Sequence, residues 1–153
     1  MSLVKSFWLL ALVSALCPAV FTATTYTDCS GGGTGITLTD FNLNNCAASP
    51  CTLRKGRNVT ISFTITAVNA IGVNNDTTIA IDAKMGFQSF SLPPTPLCGV
   101  IPCPIPAGTS QDVAQSFPLS PFATPGTYQF KITIKDAGSV VMCVQFSAYV
   151  PLL

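Results

Sequence analysis

Cysteine, aspartate and asparagine are the residue types in this 153-residue chain with chemistry to offer, and histidine is absent. Without imidazole there is no Ser-His-Asp or Cys-His nucleophile pair and no His-ligated metal. All six acidic residues are aspartates: Asp28, Asp40, Asp76, Asp82, Asp112 and Asp136. Proton transfer near neutral pH therefore has few agents. A non-enzymatic role is expected, with no cofactor and no metal. Cys46 and Cys51 enclose four residues (CAASPC), and Cys98 and Cys103 enclose another four (CGVIPC). Cys29 and Cys143 stand near the two ends of the chain once the first segment, which carries Cys17, is set aside. An even set of six in an oxidising compartment points to three disulfides. Six cysteines permit many pairings and spacing does not choose among them, though it suggests the two local loops. A Cys₄ zinc site built from those loops is the competing arrangement.

Asparagine supplies two glycosylation sequons, Asn58-Val59-Thr60 and Asn75-Asp76-Thr77. Asn75 sits in a polar turn and Asn58 at a strand start. Arg54, Lys55 and Arg57 form the one cluster of charge. They either meet an anionic lipid head or membrane surface, or cap a solvated hairpin end. Lys and Arg number seven against six acids, a formal net charge of +1. That balance argues against nucleic acid, since neutralising phosphates takes a basic face. Charged residues make up 8% of the chain and hydrophobic ones 48%, which argues against disorder.

The elements that must carry these residues begin after a targeting segment. Lys5 precedes the apolar run FWLLALVSAL at residues 7–16, too short to span a bilayer and suited to a signal-peptide core. Residues 1–23 are read as a signal peptide cleaved between about 19 and 23, an uncleaved anchor being the alternative. It would remove Cys17 and the sole tryptophan, Trp8. Secretion is expected, and extracellular fluid and lysosomal lumen share this signal. Residues 24–153 are then a single domain, expected to be monomeric.

That domain reads as strands. Val59, Ile61, Phe63, Ile65 and Ala67 alternate with Thr60, Ser62, Thr64 and Thr66. Ile79, Ile81, Ala83 and Met85 repeat the pattern, as do Tyr128, Phe130, Ile132 and Ile134. A turn at residues 136–139 leads into residues 140–150, where Met142, Val144, Phe146, Ala148 and Val150 share a face. Shorter candidates cover residues 35–43, 87–92 and 112–119. Seven strands with turn residues between them and no amphipathic helix predict an all-β, immunoglobulin-like antiparallel two-sheet sandwich. Residues 93–106 (PPTPLCGVIPCPIP) hold six prolines and predict rigid non-strand backbone. Their apolar members Leu97, Val100, Ile101 and Ile105 form either an exposed binding surface or a loop folded over a sheet edge.

Taken in order, Asp28-Cys29, an apolar strand, C-x4-C followed by Leu53-Arg54-Lys55-Gly56, a proline-rich C-x4-C followed by Pro104-Ile105, and a late strand cysteine resemble the ML lipid-recognition family. Niemann-Pick type C-two (epididymal secretory) proteins and mite group 2 allergens are the members most alike. The resemblance covers the whole chain after residue 23. It implies a sandwich whose sheets splay around an apolar cavity, and the pairing Cys29–Cys143, Cys46–Cys51 and Cys98–Cys103. It further implies non-catalytic binding and transfer of a sterol, fatty acid or similar lipid, with a membrane as surface or acceptor. By the same resemblance Phe90 takes the place of a mouth aromatic, flanked here by Ser89 and Ser91 rather than proline. Phe117-Pro118-Leu119 matches an apolar–Pro–apolar lining pattern, and Phe122 stands where an aromatic is common.

The expected ligand-binding set is Phe90, Leu119 and Phe122 at the mouth, with Phe63, Ile65, Ile81, Met85, Phe130, Ile132, Val144 and Phe146 deeper. A lipid offers apolar area and few polar atoms, so smooth walls and one or two polar groups suffice. The same phenylalanines would serve an ordinary packed core. Val144 stands beside the last cysteine, where vertebrate sterol carriers have tryptophan, which favours a broader ligand range. Two other functions fit the same fold class: an innate-immune recogniser of microbial lipids, and an adhesion or structural sandwich with a filled core.

Overall fold

Strict alternation of apolar and short polar residues makes half-buried strands, because successive side chains leave opposite faces of an extended chain. In the computed structural model, which describes residues 24–31, 35–44, 46 and 48–152, the chain folds on that principle. The signal-peptide reading of residues 1–23, with Cys17 and Trp8, lies outside the described residues. The strands in order are β1 (Thr27–Asp28), β2 (Ile36–Leu43), β3 (Cys51–Thr52), β4 (Asn58–Ala67) and β5 (Thr78–Met85). They continue with β6 (Gln88–Ser91), β7 (Thr95–Pro96), a 3₁₀ turn (Leu97–Gly99), β8 (Ser110–Pro118), β9 (Gly126–Asp136) and β10 (Ser139–Val150).

Two sheets result. The larger runs β1-β10-β9-β5-β6, with β3 added to β10 and β7 to β5; the smaller runs β2-β4-β8. Every pairing is antiparallel except that of β3 with β10. Seven strands have four or more residues, and each overlaps a span expected from the sequence, though β6 is exposed throughout and shows no alternation. In β4, Val59, Ile61, Phe63, Ile65 and Ala67 are all buried, with Thr60, Ser62, Thr64 and Thr66 on the other face. Those hydroxyls pair across to β8, Thr60 with Ser116 and Thr66 with Ser110 at 2.7 Å, and Thr64 donates to Asp112 at 2.7 Å. In β10 the alternation breaks: Met142, Cys143 and Val144 are all buried. Cys143 and its cross-strand partner Thr133 lie on the other face, where the disulfide to Cys29 covers Cys143. The register shift at Val141 precedes this run, and Gly35 permits it, because a Cβ there would stand 2.7 Å from that of Val141.

Three disulfides staple the sandwich: Cys29–Cys143, Cys46–Cys51 and Cys98–Cys103. Cystine sulfurs carry no thiolate, so the four loop cysteines do not form a zinc site. The first bridge ties β10 to the segment after β1, where the Cys29 N–H also donates to the Cys143 carbonyl at 2.9 Å.

The proline-rich segment resolves toward covering an edge. Thr95 and Pro96 pair with Ile79 and Thr78 at the start of β5, and Ile105 bridges Ile71. Leu97, Ile101 and Ile105 are buried, so this segment seals the end of the core remote from the β5–β6 hairpin. Gly72 is required there: its φ is +71°, and a Cβ would meet the Cys103 sulfur at 2.7 Å.

Candidate functional site

The other end of the sandwich stays open. β5 begins with buried Ile79 and Ile81, but Ala83 and Met85 are only partly buried. Facing that end of the β5–β6 hairpin are only the last residues of β8, Phe117 and Pro118, and the link from Leu119 to Thr124 that leads to β9. Between them lies a cavity of about 350 Å³. One wall is Ile81, Ala83, Phe90 and Leu92; the opposite wall is Phe117, Pro118, Leu119, Phe122 and Ala123. Tyr128 and Phe130 of β9 close the inner side.

Among the described residues no charged side chain lines this space. Its polar groups are few and already engaged with one another: the Tyr128 hydroxyl donates to the Thr124 carbonyl at 2.9 Å, and Ser120 Oγ accepts the Phe122 N–H at 3.1 Å. The Tyr128 ring lies between Phe90, with centroids 6.4 Å apart, and Phe130, 6.1 Å away. Phe117 reaches Phe130 from the opposite sheet, centroids 6.4 Å apart. Cavities walled by carbon with a few convergent polar groups take apolar small molecules.

At the rim, Phe122 is 92% exposed and Phe90 52%. Phe87, at the tip of the β5–β6 hairpin, is fully exposed. Sequence reasoning did not single out Phe87, and a hairpin tip is ordinarily polar. The basic turn belongs to the same end. The Gly56 N–H donates to the Leu119 carbonyl and the Leu119 N–H to the Arg57 carbonyl, both at 2.9 Å. Arg54 and Arg57 are exposed, whereas Lys55 Nζ donates to the Leu152 carbonyl at 3.2 Å.

Of the expected ligand-binding residues, the structure brings five to this cavity: Ile81, Phe90, Leu119, Phe122 and Phe130. Phe63, Ile65, Ile132 and Phe146 are buried in the core behind it. Met85 packs beside Gly126, where a Cβ would lie 2.8 Å from its sulfur. Val144 lines a separate cavity of about 310 Å³ at the opposite seam, with Tyr26, Ile36, Leu38 and Met142. Leu92, Ala83 and Tyr128 are wall residues absent from the expected set. Tyr128 shares the inward face of Phe130, so the alternation of β9 already carried its signal.

The shifted carboxylate of Asp28 borders the second cavity rather than this one. Asp28 is held below the usual carboxylate range by hydrogen bonds from the Ser30 hydroxyl and then its N–H, at 2.6 and 2.7 Å. A depressed carboxylate stabilises the fold above its unfolded pKa and loses that effect only as pH falls through the folded value. That window lies well below neutrality, and the chain has no histidine to titrate above it. Affinity for an uncharged lipid should therefore change less than about twofold between about pH 7 and about pH 5.5. Fluorescence displacement at the two pH values measures this; a tenfold change would contradict it.

Comparison with known proteins bears on the arrangement. A family model for the ML domain matches residues 23–150. No curated protein matches the chain in sequence. Among solved structures, a Niemann-Pick type C2 protein from the Japanese carpenter ant superposes with a TM-score of 0.69 at 12% identity, covering 82% of this chain and 98% of the ant protein. Chicken MD-1 complexed with lipid IVa superposes with a TM-score of 0.52 at 14% identity, covering 84% of this chain and 88% of MD-1. At these identities the likeness is one of fold.

Proposed function

Because the chain belongs to the ML-domain family, we propose that it is a secreted, non-enzymatic lipid carrier. It takes a sterol, fatty acid or similar hydrophobic molecule between its sheets and delivers it to an acceptor. The observation that carries this reading is the open cavity walled by Phe90, Phe117, Phe122, Tyr128 and Phe130, without a charged side chain. Each Å² of lipid surface taken from water contributes roughly 25 cal/mol, so a tail covered on both sides binds without any specific polar contact. MD-1, which shares the fold, is complexed with lipid IVa.

The expected deep residues enter this reading in two groups. Ile81 and Phe130 touch a ligand in the cavity directly. Phe63, Ile65, Met85, Ile132 and Phe146 support the wall, Val144 borders the second cavity, and all six meet ligand only where the sheets part further. The acceptor is a membrane surface. Exposed Phe87 and Phe122 would enter the headgroup region beside the mouth, and Arg54 and Arg57 would face anionic lipid. Three disulfides fit an oxidising compartment, extracellular or lysosomal. Asn58 and Asn75 are both exposed and accessible to a glycan. The protein acts as a monomer, since the mouth must face the membrane.

Native mass spectrometry of protein purified from its source, before and after deglycosylation and organic extraction, tests the reading. We expect one lipid per chain, lost on extraction. Protein that is uniformly empty would overturn the carrier reading in favour of a filled structural sandwich.

A further inference from the structure

The cavity does not run through the sandwich. Its inner end is the Phe130 ring, which stacks on Phe146 with centroids 5.2 Å apart and planes 8° apart. Phe146 meets Phe41 at 4.9 Å, and Phe41 meets Phe63 at 6.3 Å and Tyr26 at 5.4 Å. The four phenylalanines are each at most 4% exposed. Tyr26 borders the second cavity, so a column of aromatic rings stands between the two openings.

A tail entering past Phe90 and Phe122 ends against this column. To go deeper it must push Phe130 and Phe146 into a core already filled by Phe41 and Phe63. Close-packed interiors resist such insertion. We infer that the Phe130–Phe146 stack determines the length of acyl chain the cavity accepts. This rests on the lipid-carrier reading and adds to it a ligand class: single chains of medium length, longer ones leaving their excess methylenes in water at the rim. At roughly 30 Å³ per methylene, the share of one water in the liquid, 350 Å³ holds on the order of a dozen. Phe130 is the contact residue, and Phe146 positions it from behind.

A series of saturated fatty acids from about eight to about eighteen carbons, displacing a fluorescent fatty acid below their micelle concentrations, tests this. Affinity should rise about fourfold per methylene up to about twelve carbons, then stay within about twofold. Phe146→Leu, which removes the stacked ring and keeps an apolar side chain, frees about one methylene of space and should move the break about one carbon later. A wild-type rise continuing to the longest chain, or an unmoved break in Phe146→Leu, would overturn the length-setting role while leaving the carrier reading intact. Binding at no chain length would overturn both. The wild-type series decides alone if the variant does not fold.

Discussion

Replacing Cys29 and Cys143 together with alanine should destabilise the protein by about 4–5 kcal/mol, the largest loss expected from any one bridge. The bridge joins residues 114 apart in sequence, whereas Cys46–Cys51 and Cys98–Cys103 each join residues 5 apart. In the chain-entropy account the cost of an open unfolded chain grows with the logarithm of loop length, so each short bridge contributes only about 2 kcal/mol. The long bridge also acts where the fold is thin. It ties the edge of the larger sheet at β1 to β10, beside the seam cavity bordered by Cys143 and Val144. For a domain of this size the loss corresponds to a fall in melting temperature on the order of 15 °C or more. Urea denaturation of the three double-alanine variants gives the comparison. A loss smaller than that from either short bridge would contradict it, as would a non-reducing peptide map joining Cys46 to Cys98.

The strands were legible where one face is strictly buried. β4 shows this best: five inward residues from Val59 to Ala67 alternate with hydroxyls that pair across the sheet. The two-residue strands β1, β3 and β7 were not legible, because two residues carry no period. Nor was the burial of Cys143 between inward Met142 and Val144, since its cover is Cys29, 114 residues away in sequence. The site was half legible for a related reason. Alternation reports which face a side chain takes and nothing about the distance to the opposite sheet. Phe130 and Phe146 are neighbours on the same face of paired strands, yet one lines the cavity and the other stands behind it. The rim came from resemblance at Phe90 and Phe122. The basic turn was visible as charge, but its attachment to the rim depends on the backbone hydrogen bonds between Gly56, Arg57 and Leu119.

Under the proposed function Phe90 and Phe122 serve a ligand, whereas Phe41 serves the core. Phe41 is 1% exposed and touches Tyr26, Phe63 and Phe146, so Phe41→Ala should cost about 3–5 kcal/mol of stability. Phe122 is 92% exposed and supports nothing beneath it, so Phe122→Ala should stay within about 0.5 kcal/mol of wild type. Half-exposed Phe90 should cost little more. In the carrier reading each rim ring would cover bound lipid, and losing that cover at roughly 25 cal/mol per Å² should weaken binding about tenfold. The decisive measurement is displacement of a fluorescent fatty acid or sterol by wild type, Phe90→Ala and Phe122→Ala, with melting temperature recorded on the same samples. The signal must come from the probe, because the sole tryptophan, Trp8, falls in the segment expected to be a signal peptide. Weakened binding with melting nearly unchanged in both rim variants is the predicted result. Unaltered binding in both, or a large fall in the melting temperature of Phe122→Ala, would contradict the account.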